Sequence, residues 1–104
     1  MAKTKHLKFL TSFKKSISKE IPLHSMYLFG SRAKGNPKRW SDFDILLVSG
    51  KFKKMPSYER QIGFHKHWTM DYPVDFLCYT PEEFNRLKKQ VTIVREAVKE
   101  GIEI

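Results

Sequence analysis

Residues 27–35 read YLFGSRAKG and residues 41–48 read SDFDILLV, and these two segments decide the fold. The first is an apolar run that ends at Gly30, a residue without a side chain that lets the backbone turn sharply. The second places Asp42 and Asp44 at the head of a continuous apolar run, which is typical of a strand buried on both faces. We therefore expect a core strand, a sharp turn into a short helix, and then a second core strand.

The two aspartates suit the binding of a divalent cation. Residues i and i+2 of a strand project to the same face, so Asp42 and Asp44 can hold one hard cation between them or two cations side by side. Turn chemistry alone would also account for Asp42, which follows Ser41. It does not account for Asp44, because a charge at the start of an apolar run is costly without a partner.

Gly30 and its neighbours are the candidates for phosphate binding. Gly30 allows a close approach to phosphate, and the N–H groups that open the next helix, with the Ser31 hydroxyl, suit an anion. A plain strand-to-helix connection with Ser31 as N-cap is the simpler alternative. Arg32 can hold a phosphate through two parallel hydrogen bonds, whereas Lys34 would act as a point charge. Either cation could instead be an ordinary surface charge.

A family resemblance rests on the spacing of these residues. Gly30-Ser31 is followed by ten residues and then by Asp42 and Asp44, and a further aspartate, Asp75, lies within a later apolar run. From about residue 23 to residue 104, the chain resembles the minimal, single-domain members of the DNA polymerase β-like nucleotidyltransferase superfamily. The resemblance implies a polymerase β-like palm. It also implies that Asp42, Asp44 and Asp75 are catalytic metal ligands, with Asp75 acting as base on the incoming hydroxyl.

The residues and the resemblance together predict a Mg²⁺-dependent nucleotidyltransferase that moves a nucleoside monophosphate from an NTP to a hydroxyl. ATP is the expected donor, which makes the transferred group AMP, and another NTP stays open. Gly30, Ser31 and Arg32 form the predicted nucleotide-binding set. The chain is short for a protein that also grips a nucleic acid. Minimal members of the family act beside a small all-helical HEPN protein, and several serve as the antitoxin of that pair. The expected acceptor is therefore a hydroxyl of such a protein partner, which makes the chain a protein adenylyltransferase.

Two other interpretations stay open. The same fold could bind a nucleotide, a protein or a nucleic acid without turnover, although an inactive copy has no chemical need for all three aspartates. The acceptor could also be a small molecule, but the family members that modify one usually carry an extra helical domain. Lys51, Lys53 and Lys54 surround Phe52 in a basic loop that is either solvated or in contact with nucleic acid. A homo-oligomer stays open as well.

Length and composition narrow the class of protein. The 104 residues suit one domain, residues 1–104, and no run of 18 apolar residues could span a membrane. The basic start lacks the apolar block and cleavage site of a signal peptide. The single cysteine, Cys78, cannot form an internal disulfide, which fits the cytoplasm. The net charge of +9 suits a polyanionic or acidic partner, or simply a solvated, lysine-rich surface.

Hydrophobic periodicity and capping signals predict the elements. Leu7, Leu10, Lys14, Ile17 and Ile21 trace the apolar stripe of a first helix. Thr80, Pro81 and Glu83 form a capping box that starts a later helix. The expected helices span 4–20, 31–34, 57–69, 81–89 and 92–100, and the expected strands span 25–29, 43–48, 74–79 and 102–104. The predicted fold class is α/β (α+β), a small mixed sheet flanked by helices.

Overall fold

A computed structural model of the protein describes residues 3–35 and 41–104. The helices are α1 (Thr4–Ser18), α2 (Ser31–Lys34), α3 (Pro81–Leu87) and α4 (Ile93–Glu100). The strands are β1 (Ser25–Phe29), β2 (Phe43–Val48), β3 (Val74–Tyr79) and β4 (Ile102–Glu103). The segment between α2 and β2 lies mostly outside the described residues.

The strands form one mixed sheet in the order β3-β2-β1-β4. β1 is antiparallel to both β2 and β4, and β2 is parallel to β3. Helices pack on both faces of this sheet. The predicted fold class, a small mixed sheet flanked by helices, is therefore confirmed.

Strand β2 explains why its sequence is apolar without alternation. Ile45 and Leu47 join the core under α1, whereas Leu46 and Val48 join the core under α3 and α4. All four side chains are fully buried. Burying one such side chain stabilises the fold by about 1.5–3 kcal/mol relative to leaving it exposed. Since both faces are covered, only the first residues of β2 can carry polar side chains that reach solvent.

The apolar stripe of α1 differs from the predicted one. The residues of α1 that are buried are His6, Leu10, Phe13 and Ile17, so Phe13 takes the place that periodicity assigned to Lys14. Lys14 instead lies at the edge of the interface, and its Nζ donates to the carbonyl of Ile104 at 2.7 Å. The helix ends at Ser18, two residues before the predicted boundary.

The predicted helix over residues 57–69 is wrong. This segment contains only short 3₁₀ turns at Ser57–Glu59 and His65–His67. Tyr58 and Ile62, which would lie on one face of such a helix, are 72% and 65% exposed. Separate tertiary contacts hold the segment, because Arg60 forms an ion pair with Glu83 and Phe64 packs on Phe52 and Phe76. These contacts require no continuous helical face.

The C-terminal elements follow the prediction closely. Thr80 caps α3 through a full capping box with Glu83. Thr92 caps α4, and Gly101 ends it before β4 pairs with β1. Phe52 is buried, so this ring is not available to stack on a nucleic acid base. None of the described helices combines the length and the apolar character that a membrane crossing requires.

Candidate active site

Gly30 brings the end of β1 against the first residues of β2. The antiparallel register pairs Phe29 with Asp44. Gly30 follows with φ of 76° and ψ of −160°, a conformation that glycine adopts much more readily than other residues. A Cβ atom on Gly30 would collide with Oδ2 of Asp44 and would lie 3.3 Å from its Cγ. The missing side chain of Gly30 therefore lets the carboxylate of Asp44 lie against the turn.

The strand pairing places two of the three predicted carboxylates on one face. In the parallel register, Asp44 is directly opposite Asp75, and paired residues of neighbouring strands project to the same side. Asp42 lies one residue before β2 begins, so the strand register does not include it, but its charge acts on Asp44. The N–H of Phe43 donates to the carbonyl of Pro73 at 2.9 Å, so β2 and β3 stay paired at this end. The aspartates lie where the α3 and α4 face of the sheet begins.

Electrostatics show that the three aspartates interact. Asp44 is half-buried, whereas Asp42 and Asp75 are exposed. Burial raises the pKa of Asp44 above its ordinary value, and the charges of Asp75 and then Asp42 raise that pKa further. Carboxylates that disfavour one another's ionisation gain from a cation placed between them. A cation beside Asp44 would therefore relieve the repulsion that this carboxylate experiences.

The donor chemistry fits magnesium. Mg²⁺ prefers carboxylate oxygens, usually one or two carboxylates with substrate phosphates and water completing the shell. Over residues 3–35 and 41–104, no group of three His, Cys, Asp or Glu side chains is already arranged as a metal site. The exposed side chains of Asp42 and Asp75 can change rotamer, whereas Asp44 is confined by Gly30. The fit thus rests on the face that Asp44 shares with Asp75 and on the repulsion that raises the pKa of Asp44.

Ser31 is the first residue of α2, directly after the turn at Gly30. Its side chain is half-buried, and its hydroxyl forms no hydrogen bond to any described residue. The carbonyl of Gly30 accepts from the N–H groups of Ala33 and Lys34 at 3.1 and 3.2 Å. The carbonyl of Gly30 is therefore hydrogen-bonded within α2, whereas the Ser31 hydroxyl remains available to a ligand.

Arg32 has a different environment from the one its predicted role suggests. Its side chain is only 6% exposed. Its Nε and Nη2 donate to the carbonyl of Ser41 at 3.1 and 2.8 Å. The guanidinium carbon lies 4.7 Å from the ring centroid of Phe43 and 4.4 Å from that of Tyr72. Arg32 thus contacts the residue that precedes Asp42, and the predicted phosphate contact stays a prediction.

Lys34 lies on the opposite side of the turn, towards α4. Its Nζ is 3.2 Å from a carboxylate oxygen of Glu100 and 3.9 Å from one of Glu96. All three side chains are about half-exposed, so these ion pairs add little stability. Their effect is to connect α2 to α4 beside the aspartate cluster.

Sequence reasoning missed the aromatic layer behind the site. The buried ring of His6 meets the rings of Phe43 and Tyr72 edge-on, at 5.2 and 5.6 Å. Its Nε2 is buried without a hydrogen bond to the described residues. Burial, followed by the charge of Arg32, lowers the pKa of His6. The available signal was helical spacing, since His6 is four residues before Leu10 on the buried stripe.

Comparisons with known proteins agree with this geometry. A family model described as "Nucleotidyltransferase domain" matches residues 10–103. A Haemophilus influenzae protein named "Probable protein adenylyltransferase MntA" is 26% identical over 85 residues, which cover 80% of this chain and 75% of that protein. A crystal structure of a "putative nucleotidyltransferase" from Sulfolobus solfataricus has a TM-score of 0.65 and 26% identity, covering 93% of this chain and 77% of the other. A further structure with the description "putative nucleotidyltransferase" has a TM-score of 0.53 at 22% identity, covering 95% and 97% of the two chains, and shares the fold.

Proposed function

Because the chain belongs to the nucleotidyltransferase domain family, we propose that it uses Mg²⁺ to transfer AMP from ATP to a hydroxyl of a protein partner. The observation that carries the proposal is the direct opposition of Asp44 and Asp75 across β2 and β3, with Asp42 close enough for its charge to act on Asp44. The raised pKa of Asp44 supports it, since a cation site needs carboxylates close enough to repel one another.

Each part of the site has a role in this reaction. Asp42, Asp44 and Asp75 would hold the metal, which when bound would neutralise the charge that develops on the transferred phosphoryl group. The backbone at Gly30 and the hydroxyl of Ser31 would contact the β- and γ-phosphates of ATP. Gly30 lies against Asp44, so one turn of the chain would bring triphosphate and carboxylates together.

The reaction is a single displacement at phosphorus. The acceptor oxygen forms a bond to the α-phosphorus of ATP, while the bond from that phosphorus to the oxygen bridging to the β-phosphorus breaks. Pyrophosphate leaves with the electron pair of the broken bond. The proton of the acceptor hydroxyl passes to the carboxylate of Asp75 and from there to water. Asp75 is exposed, so an acceptor that docks from outside the domain can reach it.

A protein acceptor fits the size and charge of this chain. Positioning supplies most of the catalysis in phosphoryl transfer, so an acceptor that docks by its own surface suits a short palm. We propose a small all-helical protein of the HEPN class, with this chain as the antitoxin of the pair. The similarity to the protein named MntA supports a protein acceptor. The net charge of +9 favours an acidic docking face, and salt should weaken the encounter.

The test is intact-mass spectrometry. The protein is incubated with Mg-ATP and the product of the neighbouring gene, and the masses of both chains are recorded. A gain of one AMP on the partner is the expected result, and Asp44→Asn and Asp75→Asn should abolish it. Glu59→Gln is the matched control, because Glu59 is exposed, forms no ion pair with the described residues and loses the same charge.

The non-catalytic interpretation makes the opposite prediction. If the palm acts by contact alone, the partner binds tightly but gains no mass, and Asp44→Asn binds it as well as the wild type does. That result would overturn the proposed activity while leaving the family membership untouched.

A further inference from the structure

We propose that Arg32 is a positioning residue for the metal-binding aspartates, an inference that rests on the function proposed above. In the sequence Arg32 is two residues after Gly30, where we propose that phosphate binds. Its guanidinium, however, donates to the backbone that leads into β2. It holds the backbone immediately before Asp42. The proposal assigns it the task of fixing where Asp42 and Asp44 enter the site.

The contact is to the main chain and has two donors. Nε and Nη2 of Arg32 share the carbonyl oxygen of Ser41 at 3.1 and 2.8 Å. A charged donor makes a stronger hydrogen bond than a neutral one, and two donors on one acceptor also fix its direction. The carbonyl of Ser41 belongs to the peptide unit whose nitrogen is that of Asp42. Fixing this peptide restricts the backbone from which Asp42 projects.

The guanidinium is itself held between two aromatic rings. Its carbon lies 4.7 Å from the ring centroid of Phe43 and 4.4 Å from that of Tyr72. Phe43 is fully buried in β2 between the two aspartates, and the Tyr72 carbonyl accepts from Nε1 of Trp68 at 2.8 Å. A planar cation stacks on such rings better than an ammonium does. The guanidinium of Arg32 therefore has little freedom to turn towards a ligand.

The geometry separates positioning from phosphate binding. Asp44 alternates with Phe43 along β2 and so projects from the sheet face that α3 and α4 cover, whereas Phe43 joins the core on the opposite, α1 face. Arg32 donates to the carbonyl of Ser41 just before β2 and lies against the ring of Phe43, so these contacts are with the main chain and a ring rather than with the carboxylates. Groups that orient metal ligands typically change metal affinity by about 10–100-fold when they are removed. The expected effect is thus on the metal, with little change in nucleotide affinity.

The experiment compares Arg32→Gln and Arg32→Lys with the wild type and with Arg86→Gln, an exposed arginine on α3. Melting temperature is recorded against Mg²⁺ concentration without nucleotide. With the partner protein present at a fixed concentration as acceptor, turnover of ATP is recorded against Mg²⁺ at saturating ATP, and against ATP at saturating Mg²⁺. Arg32→Gln should raise the half-saturating Mg²⁺ concentration by about tenfold or more, with the KM for ATP changed by less than about threefold. Arg32→Lys should restore little of the Mg²⁺ affinity, because an ammonium group lacks the paired planar donors of a guanidinium and stacks poorly on aromatic rings.

Hydrogen–deuterium exchange gives a readout that needs no activity. Peptides that cover residues 41–48 should exchange faster at their N-terminal end in Arg32→Gln than in the wild type, while α3 is unchanged. If a variant melts too low to assay, Arg32→Met keeps the apolar stem in place and allows the same measurements.

Several outcomes would overturn the inference. A raised KM for ATP with unchanged Mg²⁺ dependence, rescued by Arg32→Lys, would make Arg32 a phosphate ligand. A lower melting temperature with both constants unchanged would make it purely structural. If the wild type neither responds to Mg²⁺ nor turns over ATP, the proposed function fails and the positioning role falls with it. If the wild type responds and Arg32→Gln matches it in every readout, only the positioning role fails.

Discussion

The carboxylate of Asp44 lies against the backbone of Gly30, at a point where any side chain on Gly30 would collide with it. The two residues come from neighbouring antiparallel strands, and the register pairs Phe29, the residue before Gly30, with Asp44. One backbone position thus shapes both the turn after β1 and the position of the Asp44 carboxylate. In the proposed function, this proximity puts the phosphate contact and the metal ligand in one site.

Gly30→Ala should lose both stability and activity. The alanine must adopt a φ of 76°, and its Cβ must displace Asp44. Backbone strain of this kind costs about 1–3 kcal/mol, and the steric clash adds to it. Chemical denaturation of the variant should show this loss in the free energy of unfolding.

Gly63→Ala is the control for that experiment. A Cβ on Gly63 meets no atom within 4 Å, and its φ is outside the left-handed region. It should change the free energy of unfolding by less than about 0.5 kcal/mol, as surface substitutions usually do. Equal losses in the two variants would mean that the turn at Gly30 has no special requirement for glycine.

Asp44→Asn should keep or slightly raise the stability of the metal-free protein. Burial and the charges of Asp75 and Asp42 raise the pKa of Asp44, so the folded state binds a proton there more readily than the unfolded state does. Ionised Asp44 therefore lowers stability above its folded pKa, and this cost disappears as the pH falls through that pKa. The advantage of the variant should be largest near pH 7 and should shrink towards pH 4 in thermal melts.

Thermal melts of the same proteins in the presence of Mg-ATP distinguish a metal-binding residue from a purely structural one. The wild type should gain stability on binding, since a ligand that binds only the folded state raises its melting temperature. Asp44→Asn should gain none, and Glu59→Gln should gain as much as the wild type. A large drop in the melting temperature of Asp44→Asn without metal would identify Asp44 as a structural residue.

His6 should make the protein less stable at mildly acidic pH. Burial lowers the pKa of His6 from its ordinary value of 6.5, and the positive charges of Arg32, Lys3 and Lys5 lower it further. The unfolded state then binds a proton more readily than the folded state, so stability falls as the pH drops below about 6.5. Replacing His6 by Phe should flatten the dependence of the free energy of unfolding between pH 7 and pH 5.

His24→Gln provides the comparison for His6, because His24 is exposed at the start of β1. It should leave the slope of stability against pH close to that of the wild type. An unchanged slope in His6→Phe would show that another group controls the acid sensitivity.

Cys78 should be unreactive in the folded protein. Burial in β3 raises the pKa of its thiol to about 12, so the thiolate is rare at pH 8. Since the thiolate is the reactive form, alkylation should be about a thousandfold slower than for a thiol with a pKa near 9. Labelling with iodoacetamide in buffer and in guanidinium chloride, followed by mass measurement, checks this. Rapid labelling of the folded protein would mean that β3 opens readily or that the thiol is ionised.

Local sequence signals predicted most of the secondary structure. The capping box at Thr80 and Glu83 forms as predicted, and the apolar run of β2 is buried on both faces. These features depend on residues that are close together in the sequence, so they can be predicted without the tertiary structure. The predicted helix over residues 57–69 failed because contacts distant in sequence, such as the ion pair between Arg60 and Glu83, replace helical packing there.

By itself, the sequence predicted the strands, the capped helices and the candidate site residues, since Asp42 and Asp44 are two residues apart at the head of an apolar run. The tertiary structure decided which strands are neighbours, and only the parallel register of β2 and β3 places Asp75 opposite Asp44. It also decided that Arg32 turns to the carbonyl of Ser41. Side-chain direction and strand order depend on packing between residues far apart in the chain, which no local pattern records.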